Sequence, residues 1–410
     1  MRTQQLATPK TIDCTLKIKD FRPYTKLSTY CIVGQEIKSP THSFRNWKTA
    51  PSGAQNVYYV SNRLFAYSSD TYIYEYLSNK FTKLEICKSQ PYLVPVMIDG
   101  IEEILVVSNS ESFILGKSQN KFTLPFGNYY ATYNNRLFIA KNRNIYFSDV
   151  FDANNLTMDI SNSGYVSVSN QDGDIVGLEN YDGNLYVFCQ KAIYILHISF
   201  DNNFTFTKCN TCEIDIKADS VVRVCDEFVF LSRKRICTFK NSKVEYLNLM
   251  FENDISTTTF KATKHNEYYV LPFKVGSISY LFMFDTINRS SHVLNGAEGG
   301  FVGDRYLFVK SSRYIYEIND NIRQTFNWTS DNTNLGTHSK KMIMEVGIYS
   351  SSDAIFYVYS KEGHRYFSLK RGANRYKMNL VGDEFQFSIL PSSNTTIVKD
   401  LQIKYRIIGD

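Results

Sequence analysis

The chain has 410 residues and a formal net charge of +6, and its 30 Tyr and 29 Phe make it rich in aromatic side chains. This length allows one large β domain plus a smaller one, and the scattered cysteines exclude a small disulfide-stapled scaffold. No apolar run approaches the roughly 20 residues that span a bilayer, and the abundance of aromatic and β-branched residues predicts an all-β protein.

The first 50 residues are basic, with nine Lys and Arg residues against three acidic ones. Such a segment can meet nucleic acid or an acidic protein surface. A solvated arm without such a partner is an equally good interpretation. A strand of this segment that closes the last blade is a further alternative. The start, MRTQQLATPK, lacks the apolar core of a signal peptide, which predicts synthesis in a cytosol-like compartment and free thiols.

Seven segments along the chain share one layout, in which alternating apolar positions flank a short polar connection. They cover residues 62–76, 102–116, 135–149, 183–197, 226–240, 266–285 and 304–318. This layout predicts seven β-hairpins. Their first apolar anchors are 33 to 48 residues apart, and a period of this size is typical of a propeller built from four-stranded blades.

A ring is expected because a four-stranded blade cannot bury both of its faces alone, so the blades must stack and the last must meet the first. The sequence therefore predicts a six- or seven-bladed β-propeller over residues 51–326. A series of β-sandwiches is the competing fold, since it also has short strands at regular spacing.

The pattern changes after about Ser339 to longer and cleaner alternation, at 342–349, 354–360, 365–369, 384–390 and 401–407. In EFQFSI, Phe385, Phe387 and Ile389 are expected on one face of a sheet, with Glu384 and Gln386 on the other. These segments predict a small antiparallel β-sandwich-like module over 327–410. Completion of a propeller blade is the alternative.

No motif predicts a catalytic residue, a cofactor or a metal. LGKS (115–118) lacks the earlier glycine and the following helix of a phosphate-binding loop. CNTC (209–212) has zinc-knuckle spacing, but no second ligand pair follows, so two ordinary thiols are the preferred interpretation. The enzyme alternative is a propeller glycosidase, which would bring two carboxylates about 5 to 10 Å apart in the central funnel.

Three stretches carry a resemblance to a known family: NNRLFIAKNRNIYFSDVFDANNLT (134–157), DGDIVGLENYDGNLYVFCQKAIYIL (172–196) and DEFQFSILPSSNTTIVKDLQIKYRIIGD (383–410). Together they resemble the β-propeller structural proteins of bacteriophage tails, which include tail nozzle and packaged-DNA stabilisation proteins of short-tailed phages. Residues 17–30 and 39–50 stand where such proteins carry an N-terminal segment.

The resemblance implies a non-enzymatic virion protein that forms a ring, a hexamer by the symmetry of phage tails, in the tail or head–tail junction. It would be assembled in the host cytoplasm with other tail and connector proteins, and it would help to retain and channel packaged DNA, with no cofactor and no membrane. In that setting the residues expected to face DNA or an acidic partner are Arg2, Lys10, Lys17, Lys19, Arg22 and Lys26. A receptor- or glycan-binding propeller of a phage tail is the alternative, and it predicts an exposed aromatic cluster.

Overall fold

The computed structural model describes residues 14–15, 30–33, 36–38, 43–98, 100–117, 121–122, 124–148, 164–198, 203–209, 213–250, 256–257, 261–275, 278–295, 307–310, 313–319, 328–330, 332–335 and 338–409. Arg2, Lys10, Lys17, Lys19, Arg22 and Lys26, the residues expected to face DNA or a partner, lie outside these ranges. The described residues are mostly β-strand, with a short 3₁₀ helix at Asn170–Asp172. No helix among them is long and apolar enough to cross a bilayer.

The strands fall into successive antiparallel sheets. Four strands precede the first blade: β1 (Cys14–Thr15), β2 (Tyr30–Val33), β3 (Glu36–Lys38) and β4 (Ser43–Thr49). Blade 1 contains β5 (Ala54–Val60), β6 (Arg63–Ser68), β7 (Tyr72–Leu77) and β8 (Lys80–Ile86). Blade 2 contains β9 (Tyr92–Ile98), β10 (Ile101–Val107), β11 (Ser112–Ile114) and β12 (Lys121–Phe122). Blade 3 contains β13 (Tyr129–Tyr133), β14 (Arg136–Lys141), β15 (Asn144–Phe147) and β16 (Tyr165–Ser167).

The next blades repeat this order. Blade 4 contains β17 (Ile175–Tyr181), β18 (Asn184–Cys189), β19 (Ile193–Ile198) and β20 (Phe204–Lys208). Blade 5 contains β21 (Val222–Val224), β22 (Glu227–Ser232), β23 (Arg235–Lys240) and β24 (Lys243–Met250). Blade 6 contains β25 (Ser256–Thr257), β26 (Thr263–His265), β27 (Tyr268–Val275), β28 (Ile278–Asp285) and β29 (Ser291–Asn295). Blade 7 contains β30 (Leu307–Lys310) and β31 (Tyr314–Asn319) together with β4.

The core of the ring is a series of apolar layers between neighbouring blades. Blade 4 packs on blade 5 through Phe188 and Phe230, and blade 6 packs on blade 7 through Met283 and Ile318. Blade 7 meets blade 1 through Ile315 and other residues of a buried cluster. Because the last blade packs on the first, the described residues form a closed seven-bladed ring. The predicted β-propeller is confirmed, and all seven predicted hairpins are strand pairs.

Tight turns explain how these hairpins form locally. Asn134 and Asn135, in the turn between β13 and β14, have φ values of 47° and 53°. Two successive positive φ values define the hairpin turn whose twist matches that of the flanking strands, and Asn tolerates this conformation better than most residues. The same geometry recurs at Asn241–Ser242. The polar dipeptides of the repeat thus set the hairpin register.

A strand from the N-terminal segment completes the ring. β4 pairs antiparallel with β31 and is the outermost strand of blade 7. Arg45 donates to Glu317 with an Nε to Oε1 distance of 2.6 Å, and the Glu317 side chain is fully buried. Residues that precede blade 1 in the sequence therefore hold the last blade in place.

The C-terminal residues form an antiparallel β-sandwich, as predicted. One sheet has the order β32 (Trp328–Thr329), β37 (Phe385–Pro391), β34 (Ala354–Ser360), β35 (Gly363–Leu369). The facing strands are β33 (Lys340–Ser350), β36 (Gly372–Gly382) and β38 (Ile397–Gly409). Phe385, Phe387 and Ile389 lie in the core between the two layers, as the alternation predicts.

Two strands of this module were missing from the sequence prediction, the two-residue β32 and the longer β36. β36 carries polar residues such as Arg375 and Lys377 on one face, and its apolar core residues are confined to its second half. Its pairing with β33, rather than its own apolar content, defines it as a strand.

A continuous sheet joins the propeller to the C-terminal module. β29, the outer strand of blade 6, pairs with β2, and β2 pairs with β3. β3 then pairs with β38 of the sandwich, and β1 pairs with β38 as well. Backbone hydrogen bonds therefore run from blade 6 through the N-terminal strands into the C-terminal module.

Candidate functional site: the central cavity

The innermost strands of the propeller enclose a cavity of about 910 Å³. β5, β9, β13, β17, β21 and β26 all contribute to its wall, so residues far apart in the sequence meet around the axis. At Gly177 on β17, an added Cβ would lie 3.0 Å from Val221 Cβ, so glycine permits the close approach of blades 4 and 5. The volume lies in the range typical of small-molecule sites.

Lys261 crosses this cavity. It stands just before β26 of blade 6, and its Nζ donates to the carbonyl oxygen of Asn128 in blade 3, at 2.7 Å. The ammonium also lies 4.6 Å from the ring centroid of Tyr129 and 4.8 Å from that of Tyr92 in blade 2. Blades 3 and 6 are three positions apart in a ring of seven, so this side chain connects nearly opposite walls.

Asp219 completes the cluster from the start of blade 5. Its Oδ1 lies 3.5 Å from Lys261 Nζ and accepts a hydrogen bond from the Tyr129 hydroxyl at 3.1 Å. The Tyr129 oxygen in turn accepts from the Asp219 backbone N–H at 3.2 Å. We call Lys261, Asp219, Tyr129 and Tyr92 the axial cluster; it links blades 2, 3, 5 and 6 where their innermost strands begin.

Burial perturbs the titration of the axial cluster. It lowers the pKa of the Lys261 amine, and the Asp219 charge partly opposes this shift. Burial, together with the neighbouring Asp219 charge, raises the pKa of the Tyr129 phenol, so the hydroxyl stays protonated and donates to Asp219 at neutral pH. The charged and hydroxyl groups of the axial cluster are paired with one another by hydrogen bonds and an ion pair. These contacts hold the blades together at the axis.

The Lys261 pKa provides a direct test of this geometry. We expect a folded-state pKa below 10.5, and Asp219→Asn is expected to lower it further, because the carboxylate favours the ammonium. The folded protein then binds this proton less tightly than the unfolded chain does, so the lysine's contribution to stability increases as pH rises through the folded-state pKa. Reductive ¹³C-methylation followed by an NMR titration measures the value.

The control is Asp226→Asn, which removes an exposed carboxylate of blade 5 that pairs with Lys240. This variant is expected to leave the Lys261 pKa unchanged. A rise of that pKa in Asp219→Asn would contradict the arrangement of the axial cluster.

The glycosidase alternative requires two carboxylates in the central funnel, and the cavity wall carries Glu102 and Glu179 besides Asp219. This alternative therefore stays a prediction. Glu102 accepts a hydrogen bond from the Ser61 hydroxyl, and Glu179 lies on β17. Asp219 is held by Tyr129 and Lys261.

No group of three or more His, Cys, Asp or Glu that could hold a metal ion occurs within the described residues.

Sequence reasoning missed the axial cluster. Lys261, Asp219 and Tyr129 share no motif, and 42 or more residues separate each from the next along the chain. Their one common signal is position, since each precedes or begins an innermost strand. Neither of the two tryptophans is among the residues that line the cavity: Trp328 is fully buried, and Trp47 packs at the junction of blades 7 and 1.

Comparisons with known proteins give likenesses to solved structures alone. No family model matches the chain, and no curated protein sequence matches it. BamB from Moraxella catarrhalis is 10% identical, with a TM-score of 0.42 over 67% of this chain and 98% of that one. The Pan2 WD40 domain of Neurospora crassa is 10% identical, with a TM-score of 0.40 over 72% of this chain and 97% of that one. At these identities and TM-scores, no function transfers to this chain.

Proposed function

We propose that this protein is a non-enzymatic structural component of a bacteriophage virion, forming a ring in the tail or head–tail junction. The observation that carries the proposal is the continuous sheet through β29, β2, β3 and β38, which joins the propeller and the C-terminal module by backbone hydrogen bonds. Together with β4 and the axial cluster, it makes a rigid scaffold of the kind that an assembly protein needs. The resemblance of residues 134–157, 172–196 and 383–410 to tail propeller proteins supplies the virion setting.

The cavity bears on how such a ring would meet DNA. Its volume suits a small molecule rather than a duplex, and Lys261 reaches across it. In the proposed assembly, packaged DNA therefore lies in a lumen between several copies of the chain and not inside a propeller. The basic residues Arg2, Lys10, Lys17, Lys19, Arg22 and Lys26 are assigned to that lumen or to an acidic connector surface.

Immunogold labelling of phage particles tests the location. An antibody raised against the purified protein is expected to label the neck or tail axis of particles from a lysate of the source. Labels at fibre tips would instead favour the receptor-binding alternative. Labels confined to cell material would overturn the virion assignment.

The basic N-terminal residues provide the functional prediction. Replacing Lys17, Lys19, Arg22 and Lys26 with Ser removes four positive charges, and we expect fewer DNA-filled particles because phosphate contacts supply much of the affinity for DNA. Complementation of a phage that lacks the gene, followed by counting of filled and empty particles, measures the effect. The control replaces four exposed lysines, Lys80, Lys88, Lys243 and Lys361, with Ser. Equal yields of filled particles from the two variants would remove the N-terminal segment from this role.

A further inference from the structure

An aromatic surface covers the outer face of one sheet in the C-terminal module. Along β34, Ala354, Phe356 and Val358 are buried in the sandwich core. The alternate residues Ile355, Tyr357 and Tyr359 therefore lie on the opposite face. The pairing registers place Ser368, Tyr366 and His364 of β35, and Leu390, Ser388 and Gln386 of β37, beside them. We call these nine residues the tyrosine face.

The rings of the tyrosine face form a two-by-two cluster, with Tyr357 and Tyr359 on β34 and Tyr366 and His364 opposite them on β35. The centroids of Tyr357 and Tyr359 are 5.8 Å apart with their planes 7° from parallel. Tyr366 lies 6.0 Å from Tyr357, and His364 lies 6.0 Å from Tyr359. Tyr366 is 65% exposed and Ile355 is 36% exposed. Solvent therefore reaches a set of rings whose positions are already constrained by their neighbours.

The support beneath these rings is rigid. On the inner side of the same strands, Phe356 and Phe387 stack with centroids 6.1 Å apart and planes 4° from parallel. Both side chains are fully buried. A site whose strands are fixed by a close-packed core needs little reorganisation to bind, which favours recognition of a weakly interacting ligand.

The chemistry of the face limits what it can bind. Its members are aromatic, aliphatic, hydroxyl, imidazole and amide side chains, and the charged residues that adjoin Ile355 and Ser368, Asp353 and Lys370, form an ion pair with each other at 2.7 Å. Single-stranded nucleic acid also stacks on aromatic rings, but it needs basic groups for its phosphates. The face therefore favours an uncharged ligand.

Its size argues against a protein partner. A stable protein interface buries about 800 Å² on each side. Here Tyr357 and Tyr359 are already half-buried against their neighbours, so the exposed apolar area is that of a few side chains. A short chain of sugar rings matches both the area and the chemistry, because each ring offers C–H groups to an aromatic face and hydroxyls to neighbouring polar groups.

We infer that the tyrosine face binds a neutral oligosaccharide, with Tyr357, Tyr359 and Tyr366 as stacking platforms. Ser368 and the imidazole of His364 lie at the exposed edge strand, where they can hydrogen-bond sugar hydroxyls. This inference does not depend on the proposed virion location. It differs from the glycan-binding propeller alternative because the site lies on the C-terminal sandwich.

The test uses the full chain. Affinity electrophoresis in gels that contain dextran, mannan or galactan, together with an array of neutral and acidic glycans, is expected to detect binding to at least one neutral glycan. Tyr366→Ala and Tyr357→Ala are expected to weaken that binding about tenfold or more, as loss of a stacked ring does elsewhere. The matched control is Tyr165→Ala, because Tyr165 is 62% exposed but lies on blade 3. This control should bind like the unmodified protein.

Three outcomes would overturn the inference. The first is no retardation by any of these polysaccharides together with no neutral glycan bound on the array. The second is binding that Tyr366→Ala and Tyr357→Ala leave intact. The third is concentration-dependent self-association, measured by analytical ultracentrifugation, that Tyr366→Ala abolishes; this would assign the face to a second copy of the chain. Because Tyr366 is largely exposed, Tyr366→Ala is expected to leave the melting temperature unchanged, so a loss of binding would not reflect unfolding.

Discussion

Deletion of residues 1–49 is expected to abolish cooperative folding of the propeller. The deletion removes β4, the outermost strand of blade 7, and thereby uncovers the edge of β31. It also removes Arg45 from the buried Glu317 carboxylate and Trp47 from the cluster that packs blade 7 on blade 1. An open ring exposes apolar blade faces and unpaired strand edges, so the loss should be comparable with the whole stability of a domain, about 5–15 kcal/mol. Soluble yield and differential scanning calorimetry measure this outcome.

Two variants separate ring closure from the other roles of the N-terminal residues. Deletion of residues 1–42 keeps β4 but removes β1, β2 and β3, so the propeller should still fold, while the C-terminal module keeps only the apolar cluster that it shares with blades 5 and 6 and should melt at a lower temperature. Arg45→Ala keeps every strand, and it should cost about 1.5–3 kcal/mol, the usual contribution of a hydrogen bond to a charged group. A soluble 50–410 chain with the melting profile of the full chain would show that β4 does not close the ring.

Phe188→Ala is expected to reduce the free energy of unfolding by about 3–5 kcal/mol. Phe188 is fully buried in the layer between blades 4 and 5. Its ring centroid lies 5.0 Å from that of Phe228, 6.2 Å from that of Phe230 and 6.3 Å from that of Phe239. Truncation removes these contacts and leaves a cavity that rigid strands on both sides cannot close. Urea denaturation measures the change.

A graded series tests whether packing is the cause. Phe188→Leu restores most of the volume and should cost less than half as much as the alanine variant. Tyr165→Ala removes an exposed ring of blade 3 and should change the unfolding free energy by no more than about 0.5 kcal/mol. Similar losses in Phe188→Ala and Tyr165→Ala would mean that the layer between blades 4 and 5 does not depend on close packing.

The hairpins could be predicted because their information is local. In residues 135–149, apolar residues at alternate positions flank a polar turn, and the structure pairs β14 with β15 at this place. The Asn134–Asn135 turn is equally local, because its residue types tolerate the positive φ that the hairpin requires. The alternation of Phe385, Phe387 and Ile389 likewise predicted which side of β37 is buried. β36 escaped prediction because the first half of its inward face lacks buried apolar residues, which begin only at Met378 and Leu380.

The candidate sites depended on contacts between distant parts of the chain. Lys261 meets Asn128 across the axis although 133 residues separate them, and nothing near either residue indicates the contact. The tyrosine face combines a local contact with a distant one: Tyr357 and Tyr366 pair within the hairpin of β34 and β35, whereas β37 joins them from later in the chain. Abundant tyrosine predicted strands, but it did not show which rings would remain exposed.

Strand positions, turn types and the repeat that predicts a propeller follow from the sequence, because they depend on residues a few positions apart. Closure by β4, the number of blades, the sheet that links blade 6 to the C-terminal module, the axial cluster and the tyrosine face came from the folded chain. The strand pairings among these require one strand to pair with a particular partner among many strands of similar composition, and the axial cluster requires side chains of four blades to meet. That choice is made by packing and backbone pairing over the whole ring, and short-range patterns of apolar and polar residues do not encode it.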